Sequence, residues 1–126
     1  MLKNADDAET RISLEKAAYV ATFYLINGPG YPISWNSTNV HVIGLASDLN
    51  AINGKKFIEL MKIDNASLST FLGAPEFKFS VNLTKIDDTP INSTGYFTQN
   101  PNISARILSY VSFNNTLSKL YVTVWK

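Results

Sequence analysis

The stretch Asn27-Gly28-Pro29-Gly30-Tyr31-Pro32-Ile33-Ser34-Trp35-Asn36 constrains the fold more than any other. An apolar helical segment runs straight into two glycines, two prolines and a tryptophan. Proline has no N–H to give to a helix and fixes its own φ, and glycine ends a helix without steric penalty, so the chain must leave on a restricted path. We read Gly28, Pro29, Gly30, Pro32 and Trp35 as a structural turn: Gly28 ends the helix, the prolines limit the exit, and Trp35 closes the joint against the apolar helix end. A phosphate cradle is rejected for this stretch. It has no following Lys-Ser/Thr, Pro29 removes a backbone donor, and the segment follows a helix where a P-loop follows a strand.

The helix entering this turn is expected over Thr10 to Ile26, after an acidic, small-residue start at Ala5 to Glu9. Residues 1–9 are read as a disordered or added start. The first half of the helix carries Arg11, Glu15 and Lys16. The second half, Ala17 to Ile26, is apolar nearly all round and is expected to be buried on most sides. A three-to-four spacing links Ile12, Tyr19, Phe23 and Ile26, and that face is expected to lie on a sheet.

Beyond the turn, Val40 to Ala46 reads as a short strand ending near a glycine. A second helix is expected from about Asn53, with Phe57, Leu60 and Met61 at helical spacing and a break at Asp64-Asn65. A third, short helix carries Leu68, Phe71 and Leu72, is capped by Asp64 or Asn65 and is stopped by Gly73 ahead of Pro75. At Glu76 the period changes to two. Phe77, Phe79, Val81 and Leu83 alternate with polar residues, as in a strand with one face buried and one wet. Asp87 to Pro101 holds turn residues, with a short edge segment at Tyr96-Phe97-Thr98. Ile103 to Phe113 and Leu117 to Trp125 are two more strands around an Asn114-Asn115 hairpin. The expected fold is one α+β domain over residues 1–126: a long N-terminal helix packed on an antiparallel sheet of about four strands, with one or two short helices between.

Composition removes several function classes. Eleven basic and ten acidic residues give a net charge of +1, too balanced for electrostatic capture of nucleic acid or an anionic membrane. Zero cysteines exclude a disulfide framework, a thiolate metal site and a cysteine nucleophile. His41 is the only histidine and has no carboxylate near it in sequence, so it reads as an ordinary strand residue. Asp6-Asp7 and Asp87-Asp88 lack the spaced ligands and glycine of a calcium loop and read as a solvated terminus and a solvated turn. We expect no catalytic residues, no metal and no cofactor.

One count exceeds composition. The sequon Asn-x-Ser/Thr occurs at Asn36, Asn65, Asn82, Asn92, Asn102 and Asn114. The 13 asparagines and 22 serines plus threonines would give about 2.3 by chance. These six are candidate glycosylation sites, and they favour an extracellular or cell-surface location.

Taken in order, Gly28-Pro29-Gly30-Tyr31-Pro32…Trp35, Ile43-Gly44-Leu45-Ala46, Asn53-Gly54-Lys55-Lys56-Phe57…Leu60 and Leu72-Gly73 resemble a group of archaeal surface proteins with class III signal peptides and a type IV pilin-like arrangement. The resemblance implies a short basic leader and an apolar helix upstream of residue 1, cut between by a prepilin-type peptidase. It also implies a soluble head that serves as a structural or adhesive subunit. Its partners would be other pilin-like subunits, reached through the N-terminal helix with Ile12, Tyr19, Phe23 and Ile26 as the assembly face, and the membrane only through the upstream helix. The alternative is an extracellular module for a glycan or small ligand, stacking on Trp35, Tyr31 and Tyr96.

Overall fold

A computed structural model describes residues 2–48, 51–96 and 103–126. The chain is α+β, with a long N-terminal helix on one face of a six-stranded sheet. Helix α1 spans Leu2–Asn27, about 39 Å at 1.5 Å per residue. It starts at Leu2 and not at the expected Thr10, because no glycine or proline precedes Gly28 to interrupt it. Short strands β1 (Ala46–Asp48) and β2 (Ala51–Ile52) follow, then helices α2 (Gly54–Met61) and α3 (Asn65–Phe71). The remaining strands are β3 (Lys78–Lys85), β4 (Pro90–Gly95), β5 (Ser104–Phe113) and β6 (Thr116–Trp125).

Local chemistry sets the helix ends. The Asn53 side chain accepts from the Lys56 N–H at 3.2 Å, and that of Asp64 from the Ser67 N–H at 3.1 Å, each satisfying a first-turn donor. Both short helices lie where the sequence places them. Gly73, at φ +88°, stops the chain after α3 in a conformation that side chains disfavour.

The strand order is β1-β2-β5-β6-β3-β4, so the sheet has six strands and not four. It is also mixed: β2 runs parallel to β5, whereas every other pair is antiparallel. Three of the expected strands form its antiparallel core, β5-β6-β3, and β4 is added at the edge. Asn114 and Asn115 both have positive φ, 52° and 61°, as a two-residue hairpin matched to strand twist requires. Strand β4 occupies residues expected to be turn. It lies at the sheet edge, has proline at its first position and contains no fully buried residue, so no alternation marks it. The expected strand from Val40 forms only at Ala46: Val40 to Leu45 buries Val40, Ile43 and Leu45 but bends at His41 and pairs through a single bridge from Val42 to Tyr31. The expected edge segment at Tyr96-Phe97-Thr98 falls largely outside the described residues.

The inner face of the sheet carries Phe79, Val81 and Leu83 of β3 and Leu120, Val122 and Val124 of β6, all fully buried. Helix α1 covers β5 and β6 with a different stripe from the one expected. Leu14, Ala18, Ala21 and Leu25 are fully buried, whereas Ile12 and Tyr19 are each 66% exposed and Phe23 53% exposed. Ile26 alone of the expected face packs partly on the core. Both stripes have helical spacing, and close approach selects between them: two alanines let the helix backbone sit near the sheet, where aromatic rings would hold it away. The second half of the helix is therefore buried on one side and not all round.

This assignment predicts opposite responses on the two faces. Ala21→Leu, forced between helix and sheet, should lower stability by about 1–3 kcal/mol. Tyr19→Ser should stay within about 0.5 kcal/mol of the parent. Urea unfolding of the two variants distinguishes the faces.

Candidate functional site

The turn after α1 folds into a closed joint. Tyr24 C=O accepts from the Gly28 N–H at 3.2 Å, the last helical contact. Gly30 then takes φ +84°, and a Cβ there would lie 2.4 Å from Trp35 Nε1 and 2.6 Å from the Val42 carbonyl oxygen. Only glycine fits on both counts. Pro32 accepts from the Trp35 N–H at 2.9 Å, turning the chain back so that the indole enters the joint. Trp35 is 3% exposed, and its Nε1 donates to the Gly44 carbonyl at 2.9 Å, satisfying the one polar atom that burial would otherwise strand.

Gly44 is a part of the joint that the sequence does not mark. A Cβ on it would lie 2.2 Å from the Gly28 carbonyl oxygen and 2.4 Å from the Gly30 nitrogen, so the two segments touch backbone to backbone. Hydrogen bonds follow that contact: Leu45 N–H donates to Leu25 C=O at 2.9 Å, and Ala46 N–H to Gly28 C=O at 3.1 Å. Asn53 N–H donates to Leu45 C=O at 2.7 Å, which ties the start of α2 to the same point. From α2, Lys56 Nζ donates to the Pro29 carbonyl and Glu59 Oε1 accepts from the Ser37 N–H at 2.9 Å. Partial burial lowers the Lys56 pKa, and the Lys62 ammonium and the Ser37 N–H lower that of Glu59.

The other sequence-derived candidates lie apart. Ile12, Tyr19 and Phe23 form an outward stripe on α1, on the side away from the sheet, with Tyr24 beside them meeting Phe23 edge to face at 6.2 Å. His41 is exposed, with its ring 6.1 Å from that of Tyr31. Among the described residues no group of three His, Asp or Glu side chains could hold a metal ion. Asp88 is more than a solvated turn residue: it accepts from Tyr121 Oη at 2.9 Å and from Lys119 Nζ at 3.1 Å. Those contacts hold its carboxyl below the usual range and raise the Lys119 pKa.

Of the sequons, Asn36 and Asn114 are exposed and Asn65, Asn82 and Asn92 are half-buried, while Asn102 lies outside the described residues. Asn36 sits in a tight polar turn, its Oδ1 accepting from Thr38 Oγ1 at 2.6 Å and from the Thr38 and Asn39 N–H groups. Trp35, Tyr31 and Tyr96 do not assemble as a stacking surface. Trp35 is buried, Tyr31 is exposed beside His41, and the ammonium of Lys78 lies 5.5 Å from the centre of the Tyr96 ring.

No family model, no curated protein and no solved structure matches the chain.

The joint makes a sharp prediction. Gly44→Ala should destabilise by about 1–3 kcal/mol or more, because the added methyl meets backbone and not a mobile side chain. Trp35→Phe, which leaves the buried Gly44 carbonyl without its donor, should also cost about 1–3 kcal/mol. Thermal unfolding monitored by circular dichroism measures both.

Proposed function

We propose that this chain is the head domain of a non-catalytic, pilin-like surface subunit, structural or adhesive in role. The observation that carries the reading is the division of α1 into two apolar stripes. One, from Leu14 to Leu25, is consumed by the sheet, and the other, from Ile12 to Phe23, faces away from it. A helix used only within its own domain needs one apolar face, and a second, aromatic-bearing face suits packing against another subunit. The rigid joint supports the same role, since it fixes the helix relative to the sheet and lets helix packing set the position of the head.

In this reading the outward stripe meets neighbouring subunits, and a leader and an apolar helix upstream of residue 1 anchor the protein before assembly. Among the described residues no helix is long and apolar enough to cross a membrane. In this reading the membrane contact is assigned to the upstream helix. An archaeal, extracellular setting rests on the resemblance noted above, and N-glycosylation rests on the six sequons.

The gene and its native host provide the test. The coding sequence ahead of Met1 should encode a short basic leader and an apolar segment of about 20 residues. In the host, Tyr19→Ser with Phe23→Ser should abolish incorporation into filaments, while the isolated head keeps its near-ultraviolet circular dichroism. A native start at Met1, or filaments unaffected by the double variant, would contradict the proposal.

A further inference from the structure

The outer face of the sheet, opposite α1, is a second surface with its own chemistry. Register places Ser80, Thr123 and Arg106 in one row across β3, β6 and β5, and Asn82, Tyr121 and Leu108 in the next. Strand β4 extends the second row with Ser93, paired to Asn82. The face is thus set with hydroxyl and amide groups at strand spacing, on the most regular part of the fold.

Its charge is one-sided. Residues 77–126 hold five basic and two acidic side chains, against six basic and eight acidic in residues 1–76, so the near-neutral total conceals a cationic sheet half. Asp88, one of the two acids, is already engaged by Lys119 and Tyr121. Neither Arg106 nor Lys78 belongs to an ion pair among the described residues. Each lies instead over an aromatic ring: the Arg106 guanidinium is 5.1 Å from the centre of Tyr121, and the Lys78 ammonium is 5.5 Å from that of Tyr96. The hydrogen bond from Tyr121 to Asp88 fixes the ring beneath Arg106, which orients the guanidinium fork without consuming its donors.

We propose that this face binds an acidic polysaccharide. Its carboxylates are taken by Arg106 and Lys78, and its hydroxyls by Asn82, Ser93 and Thr123. A planar fork held over a ring is suited to bidentate capture of a carboxylate. Strand spacing puts the Arg106 and Lys78 backbones about 12 Å apart, so one polymer with repeated carboxylates can engage both. Tyr110, on the same face and 57% exposed, offers an open ring to the apolar side of a sugar. Single-stranded nucleic acid suits the face less well. It needs several open rings on which successive bases stack, and Tyr110 supplies one, because Tyr121 and Tyr96 are covered by the protein's own cations and Trp125 is buried.

The proposal goes beyond the filament reading and requires that the Asn82 sequon, in the middle of this face, carry no glycan in the native protein. The test uses the full chain produced in bacteria, so that Asn82 carries no glycan, with oligogalacturonate, neutral dextran and oligothymidylate as probes in titration calorimetry. We expect binding of oligogalacturonate that weakens as salt is raised, and none of dextran. Arg106→Gln and Lys78→Gln should each weaken binding about tenfold, the loss expected for a hydrogen bond to a charged group. Lys55→Gln, on α2, should leave it unchanged. Both test residues are exposed, and unchanged unfolding midpoints would establish that their variants are folded. No binding of oligogalacturonate, equal affinity in Arg106→Gln, or tighter binding of oligothymidylate would each overturn the proposal.

Discussion

The fold depends on one contact, the Trp35 indole seated over Gly30 with its N–H on the Gly44 carbonyl. Around it three backbone segments meet at distances that only hydrogen-bonded or glycine backbone tolerates. The end of α1, the Gly/Pro turn and the strand-like segment through Leu45 are held as one body. Removing any member leaves a defined deficit: a carbonyl without a donor, a void where the indole sat, or a methyl group against a carbonyl oxygen. Burial of the large ring and satisfaction of its single polar atom act together, which makes a tryptophan more effective here than a phenylalanine of similar apolar area.

The rest of the architecture follows from that fixed corner. Leu45 and Ala46 bond to the end of α1, which places β1, and Asn53 bonds back to Leu45, which places α2. The helix can then lie along β5 and β6 with its small-residue stripe inward. Ala18 and Ala21 allow the close approach, and Leu14 and Leu25 fill the space at either end. The aromatic stripe faces outward as a geometric consequence. Two surfaces are therefore left on opposite sides of one layer of core: an apolar helix face and a cationic, hydroxyl-bearing sheet face. They differ in the partners they suit, the first a second apolar surface, the second a hydrated polyanion.

The sequence was informative where the signals are local. Alternation identified β3, β5 and β6, the helical spacing of Phe57, Leu60 and Met61 marked α2, and the cap at Asp64 marked α3. Paired asparagines identified the hairpin. It misled where two local signals were equivalent: the Ile12-Tyr19-Phe23 and Leu14-Ala18-Ala21-Leu25 stripes have the same period, and size favoured the larger residues although the interface needed the smaller ones. The joint contact of Gly44 and the placement of Arg106 were not legible, for a different reason. The first matters because of backbone some 15 residues earlier in the chain, the second because β5, β6 and the β3–β4 turn converge on one face. The two-residue strand β2 and the edge strand β4 are too short or too little buried to leave a pattern.

Native-state hydrogen exchange at the joint tests the account most directly. The Trp35 indole N–H and the Leu45 amide should exchange only through global unfolding, with free energies equal to that of the most protected amides of β3 and β6. Exchange of either group by local opening, at free energies well below those strand amides, would mean that the corner is not what holds helix and sheet together.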